Sequence, residues 1–175
     1  MNLSEKLMRE ALKSLSSKTN KSVRLIIGGG GAMILAHHIA LATTDIDGIP
    51  KGIELGDLDQ LVKEVSQELN IPKDWLNPYF STFTHVLPSD YGSRLVSVCQ
   101  YPNLEVLALS KEDLLIMKCF AGRQKDVVHM KALIKQGPKL AVVEAQLEQL
   151  IRNRIPGAQD ALDFLDDVRD QMEGG

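Results

Sequence analysis

The 175-residue sequence predicts an α/β fold: a small mixed β-sheet with helices packed mainly on one face, followed by C-terminal helices. Three observations carry this. A β-branched and aliphatic run at residues 23–27 stops at four glycines, Gly28, Gly29, Gly30 and Gly31, and an apolar, helix-competent stretch follows. Residues 94–100 and 104–109 have the alternation and turn spacing of a hairpin that extends a sheet. Elsewhere, apolar residues recur at three-and-four spacing, the period of amphipathic helices.

Residues 3–15 open the chain as a helix, with Leu3, Leu7, Met8, Ala11, Leu12 and Leu15 on one face. After a polar loop at 16–21 comes the strand at 23–27. The glycines allow backbone angles closed to other residues and let a ligand approach the main chain. Residues 32–42 read as a buried helix whose unpaired N-terminal N–H groups suit a phosphate. His37 and His38 lie about 100° apart on that helix, so one packs inward and the other faces solvent.

Thr43-Thr44-Asp45-Ile46-Asp47 follows as the next strand. On a strand, side chains two apart share a face, so Asp45 and Asp47 point together while Ile46 enters the core. Two carboxylates on one face repel unless a cation compensates, and hard oxygen ligands suit Mg²⁺ or Mn²⁺. The glycine turn is not a P-loop, because no Gly-Lys-Ser/Thr follows, nor a good dinucleotide fingerprint, because position 33 is Met.

Residues 48–56 form a glycine-containing connection, and 57–69 a second amphipathic helix ended by Asn70-Ile71-Pro72. Trp75, Tyr79 and Phe80 then cluster, either as core beneath a loop or as a base-stacking platform; aromatic clusters are core first. Residues 85–87 read as extended and 88–93 as a turn before the hairpin. Ser110 with Asp113 is a near-ideal cap for the next helix. Helices at 126–135, 140–154 and 158–172 complete the chain, with Pro156-Gly157 breaking the last two apart. The expected division is a domain at 1–135 and a helical extension at 136–175.

Within that region Lys118, Arg123, Lys125 and Asp126 lie close in sequence. Lys118 is flanked by Met117 and Cys119, and a desolvated ammonium needs an anion. Cys99 and Cys119 are too few for a disulfide framework and lie in apolar surroundings, so both read as buried thiols. The formal charge of −3 gives no global pull toward nucleic acid. The polar N-terminus lacks an apolar signal core and no apolar run reaches membrane length, so no membrane and a cytoplasmic location are expected.

The order glycine turn, helix, Thr-x-Asp-x-Asp resembles the signature of the DNA polymerase beta-type nucleotidyltransferase superfamily. In the form Gly-Gly-Gly-Ala-Met and Thr-x-Asp-Ile-Asp it is similar to the small nucleotidyltransferase-like families that include AbiEii-type toxins. Ser110, Asp113-Leu114, Lys118, Arg123 and Lys125-Asp126 fall where those families carry a second motif. The resemblance implies a polymerase beta-like fold and Mg²⁺- or Mn²⁺-dependent transfer of a nucleoside monophosphate from a nucleotide triphosphate. The acceptor would be RNA or protein, and a cognate antitoxin a further partner. Asp45 and Asp47 would hold metal, with Glu105 as the third carboxylate on a later strand. Gly28 to Gly31 and Thr43 would hold nucleotide; Lys118 would meet its phosphate, with Arg123 and Asp126 supporting. Two positions depart from the pattern: Leu41 stands where arginine is common, and His129 where aspartate is common. They favour an alternative, a catalytically inactive nucleotidyltransferase fold that binds nucleotide or a partner without turnover.

Overall fold

The computed structural model describes residues 1–175, apart from the side chain of Thr82. The chain divides into two units, Met1–Thr82 with Leu95–Leu109, and Phe83–Arg94 with Ser110–Gly175. The boundary expected between 135 and 136 falls inside the second unit.

The first unit holds a five-stranded mixed sheet in the order β3-β2-β1-β5-β4. Its strands are β1 (Val23–Gly28), β2 (Ile46–Lys51), β3 (Leu76–Asn77), β4 (Val96–Tyr101) and β5 (Leu104–Ala108). β1 is central, antiparallel to β2 and parallel to β5. Alternation gives the sheet two unlike faces. Val23, Leu25, Ile27, Ile46, Leu104, Val106 and Ala108 share one face and are all buried. The helices α1 (Glu5–Lys18), α2 (Gly29–Leu35) and α3 (Leu55–Leu69) belong to this unit. α1 contributes Met8, Leu12 and Leu15 to the core, and α2 packs through Gly31 against Ile46. The other face carries Arg24, Asp47, Lys51 and Glu105, and these are exposed or half-buried.

Several elements differ from expectation. α2 starts on the glycines themselves and ends at Leu35, seven residues before position 42. The reason is tertiary: the buried His37 ring bonds the Leu109 carbonyl at 2.9 Å, and Ile39 N–H returns to the Met33 carbonyl at 3.0 Å. His38 then takes a φ of +54° and faces solvent, which separates the two histidines as expected. The strand after Asp45 begins at Ile46 and runs through Lys51, absorbing residues expected as a connection. Trp75 is fully buried, its indole N–H donating to the Val62 carbonyl at 3.0 Å. After β3 the chain makes a 3-10 helix over Pro78–Val86, which takes in His85 and Val86 of the stretch expected as extended.

The second unit is helical: α4 (Lys111–Ala121), α5 (Val127–Lys135), α6 (Leu140–Arg152) and α7 (Ala158–Glu173). Ser110 caps α4 as the sequence predicts, its Oγ accepting from the Asp113 N–H at 3.1 Å. α6 and α7 pack on each other and on α4, burying Val143, Leu147, Leu150, Ala161, Leu165 and Val168. Arg94, expected to start a strand, instead ends a 3-10 turn and ion-pairs with the fully buried Asp113 at 2.9 Å. Cys119 is buried, and desolvation pushes its thiol up to about 12; Cys99 is only half-buried. No described helix is long and apolar enough to cross a membrane.

Candidate functional site

The glycine turn and the aspartate strand are neighbours. Gly28, the last residue of β1, pairs with Asp47 of β2. Gly29 has a φ of +56°, and a Cβ there would land on Asp47 Oδ2. At Gly30 a Cβ would lie 2.9 Å from Thr43 Oγ1 and 3.2 Å from Leu41 Cδ1. At Gly31 it would press on Ile46 at 3.3 Å, and Gly28 lies against the ring of Phe80. The glycines are therefore a contact surface, and three of them meet the segment from Leu41 to Asp47. Thr43 stiffens that segment: its hydroxyl donates to the Asp45 carbonyl at 3.0 Å, and its own carbonyl accepts from the Leu3 N–H at 2.8 Å.

Asp47 is half-buried, with one carboxylate oxygen hydrogen-bonded and the other at the glycine turn. Oδ1 accepts from the Asn77 side-chain amide at 2.9 Å, while Oδ2 is turned to Gly29. Asp45 is also half-buried and immediately precedes β2. Glu105 is not brought to them, which corrects its expected place as third carboxylate. It pairs in register with Arg24 and ion-pairs with it at 2.6 Å. Arg24 is four residues before Gly28 on β1, so Glu105 lies about 13 Å along the strand from the Asp47 level. The face is the expected one, but the register is not. On β5 the position nearer Asp47 on that face is Leu107, which is apolar.

Asp47 at the turn and Asp45 just outside the strand are the residues that could hold a hard divalent cation. Mg²⁺ commonly uses one or two carboxylates plus substrate phosphates and waters. Among the described residues, no group of three or more His, Cys, Asp or Glu is placed to hold a metal.

The second motif forms its own cluster within the second unit. Lys118 Nζ donates to Asp126 Oδ1 at 2.7 Å, and both side chains are buried. Arg123 Nε donates to Asp126 Oδ2 at 2.6 Å, with its side chain 54% exposed. The anion that the apolar flanks of Lys118 called for is therefore Asp126. Burial alone would raise the Asp126 carboxyl, but hydrogen bonds from Arg123 and Lys118 outweigh it and bring the group below its usual range. His129 Nδ1 lies 3.4 Å from Lys118 Nζ, and desolvation, reinforced by that ammonium, lowers its pKa.

The sequence pattern does not single out Asn77, and Phe80 stands in it only as one of three clustered aromatics. One signal was present: Pro78 biases the residue before it toward extended backbone, which is what β3 needs at Asn77.

Strand, glycine turn, short helix and carboxylate strand, closed by direct packing of turn on aspartate, together make a nucleotidyltransferase-type core. The chain belongs to the family described as "Nucleotidyltransferase of unknown function (DUF6036)", whose model matches residues 5–149. No curated protein and no solved structure gave a match.

Proposed function

We propose that the protein is a metal-dependent nucleotidyltransferase that moves a nucleoside monophosphate from a nucleotide triphosphate to an RNA or protein acceptor. The observation that carries this is Asp47 Oδ2 set against Gly29 at the turn where β1 ends. Asp45 and Asp47 would hold Mg²⁺ or Mn²⁺, which supplies charge neutralisation on the triphosphate when bound. The turn Gly28 to Gly31 presents main chain without side-chain bulk, so phosphate oxygens can approach it closely. Thr43 braces Asp45 through its carbonyl. Lys118 and Arg123 outnumber Asp126 in the second cluster, and a net positive cluster suits a phosphate. A toxin role with a cognate antitoxin is the extension that the AbiEii-like motifs support.

One observation favours the second reading, a binding module without turnover. Leu41 packs its Cδ1 beside Gly30, so an apolar group stands at the turn where relatives carry a cation.

The test combines melting and transfer. With Mg²⁺ or Mn²⁺ and a triphosphate the wild type melts higher, by mass action. Asp45→Asn and Asp47→Asn each abolish that gain, because a neutral amide binds a hard cation poorly. Labelled triphosphates with total RNA or protein then report transfer. A metal-dependent shift without transfer to any acceptor favours the binding module. Absence of any shift in the wild type rejects the metal-dependent function.

A further inference from the structure

We propose that Asn77 is a positioning residue: its amide fixes the Asp47 carboxylate so that Oδ2 is the oxygen offered at the glycine turn. The inference rests on the cation-binding role proposed for Asp47 and adds a residue to it.

β3 is only two residues long, yet it is anchored at several points. Ile46 N–H donates to the Trp75 carbonyl at 2.7 Å, and Leu76 and Asn77 pair with Ile46 and Asp47. Trp75 before it is fully buried. Phe80 after it packs on Gly28. Between these anchors the position of Asn77 is fixed to Asp47 by register, not left to a loop.

The orientation of the amide follows from its two contacts. One end meets the Tyr79 backbone N–H at 3.2 Å. That group is a donor, so the amide end facing it is the carbonyl oxygen. The NH₂ end therefore faces Asp47, 2.9 Å from Oδ1. A carboxylate with no partner rotates broadly about its terminal torsion. Here Oδ1 is engaged by a donor, and the rotation is stopped with Oδ2 toward Gly29. Hydrogen bonds of this kind to a metal-binding carboxylate typically govern metal affinity by 10–100-fold.

The test is Mn²⁺ alone, titrated into the full chain and followed by electron paramagnetic resonance, with wild type, Asp47→Asn and Asn77→Ala. Expected is Mn²⁺ binding by wild type, its loss in Asp47→Asn, and affinity roughly tenfold or more weaker in Asn77→Ala. In the transfer reaction Asn77→Ala lowers kcat while the KM for triphosphate stays within about twofold, because the turn that receives the phosphates is intact. A merely structural Asn77 would lower the metal-free melting temperature and leave Mn²⁺ affinity unchanged, which overturns the proposal. If Asn77→Ala does not fold, Asn77→Ser is titrated instead; its hydroxyl is one atom too short to reach Oδ1, so the same weakening is expected and unchanged affinity overturns it. Wild type that binds no Mn²⁺ would reject the cation role of Asp47 itself, a result distinct from equal binding by wild type and Asn77→Ala.

Discussion

At the scale of single residues, the site rests on missing side chains as much as on present ones. Gly29→Ala adds a methyl that meets Asp47 Oδ2, in a backbone conformation that disfavours L-residues. The left-handed strain costs roughly 1–2 kcal/mol, and Asp47 must also swing away from the turn. The expected outcome is a lower urea midpoint together with loss of the Mg²⁺-triphosphate melting shift. A Gly29→Ala protein that keeps the full shift would mean that Asp47 does not act at the turn. Lys118 poses the opposite case, a charge that is present and enclosed. Removing one partner of a buried pair leaves the other uncompensated, a loss of several kcal/mol. Arg123 still holds Asp126, so Lys118→Ala is expected to cost about 3 kcal/mol, near the low end. Chemical denaturation measures it, and a cost below about 1 kcal/mol, the range of exposed pairs, would place the ion pair in solvent.

Elements differ in how far the sequence disclosed them. β1, β5, α1, α3 and the capped α4 were legible because local propensity, periodicity and tertiary role agree in them. α2 was not, since its apolar continuation past Leu35 serves to bury Ile39 and to bring His37 to the Leu109 carbonyl, contacts without a local signature. β3 was missed because two residues carry no period. In the site, Asp47 beside the glycine turn was legible from element order alone. Glu105 was placed on the right strand and face but four residues from the needed level, since parallel register between β1 and β5 is set by long-range pairing. The stretch joining α4 to α5 carries a pH prediction. Asp126 has a lowered folded pKa, so its contribution is complete above the ordinary carboxylate value of about 4 and is lost as pH falls through the lowered value. His129 is also lowered, so the unfolded chain protonates first and stability falls as pH drops from about 6.5 through the folded value. Both act in the same direction, giving two acid-side decrements in a plot of unfolding free energy against pH. His129→Gln should remove the upper one alone, and a profile still showing it would assign that step elsewhere.

Over the whole molecule, the two units differ in what they can lose. The family match ends at residue 149, inside α6, so sequence similarity alone suggests that the tail is dispensable. Packing argues otherwise. α6 and α7 bury Val143, Leu147, Leu150, Ala158, Ala161, Leu165 and Val168. At roughly 1.5–3 kcal/mol for each larger apolar side chain, this burial is worth on the order of 10 kcal/mol. That is comparable to the entire stability of an ordinary domain, about 5–15 kcal/mol. α7 also packs on α4 and α5, so its loss would expose apolar faces of the helices that carry Lys118 and Asp126. The Val86 carbonyl would lose the Gln146 side-chain amide as well, a contact of 2.9 Å. A chain cut after Lys135 is therefore expected to keep protected amides in β1, β2 and β5 and to lose protection in α4 and α5. Hydrogen exchange read by mass spectrometry distinguishes the regions, and dye binding to the uncovered apolar faces should rise in parallel. Because Asp47, Asn77 and the glycine turn all belong to the first unit, the truncated chain should still bind Mn²⁺ through Asp47. Native-like protection of α4 and α5 in the truncated chain would make the tail an appendage, and loss of protection in β1 would make the sheet dependent on the helices.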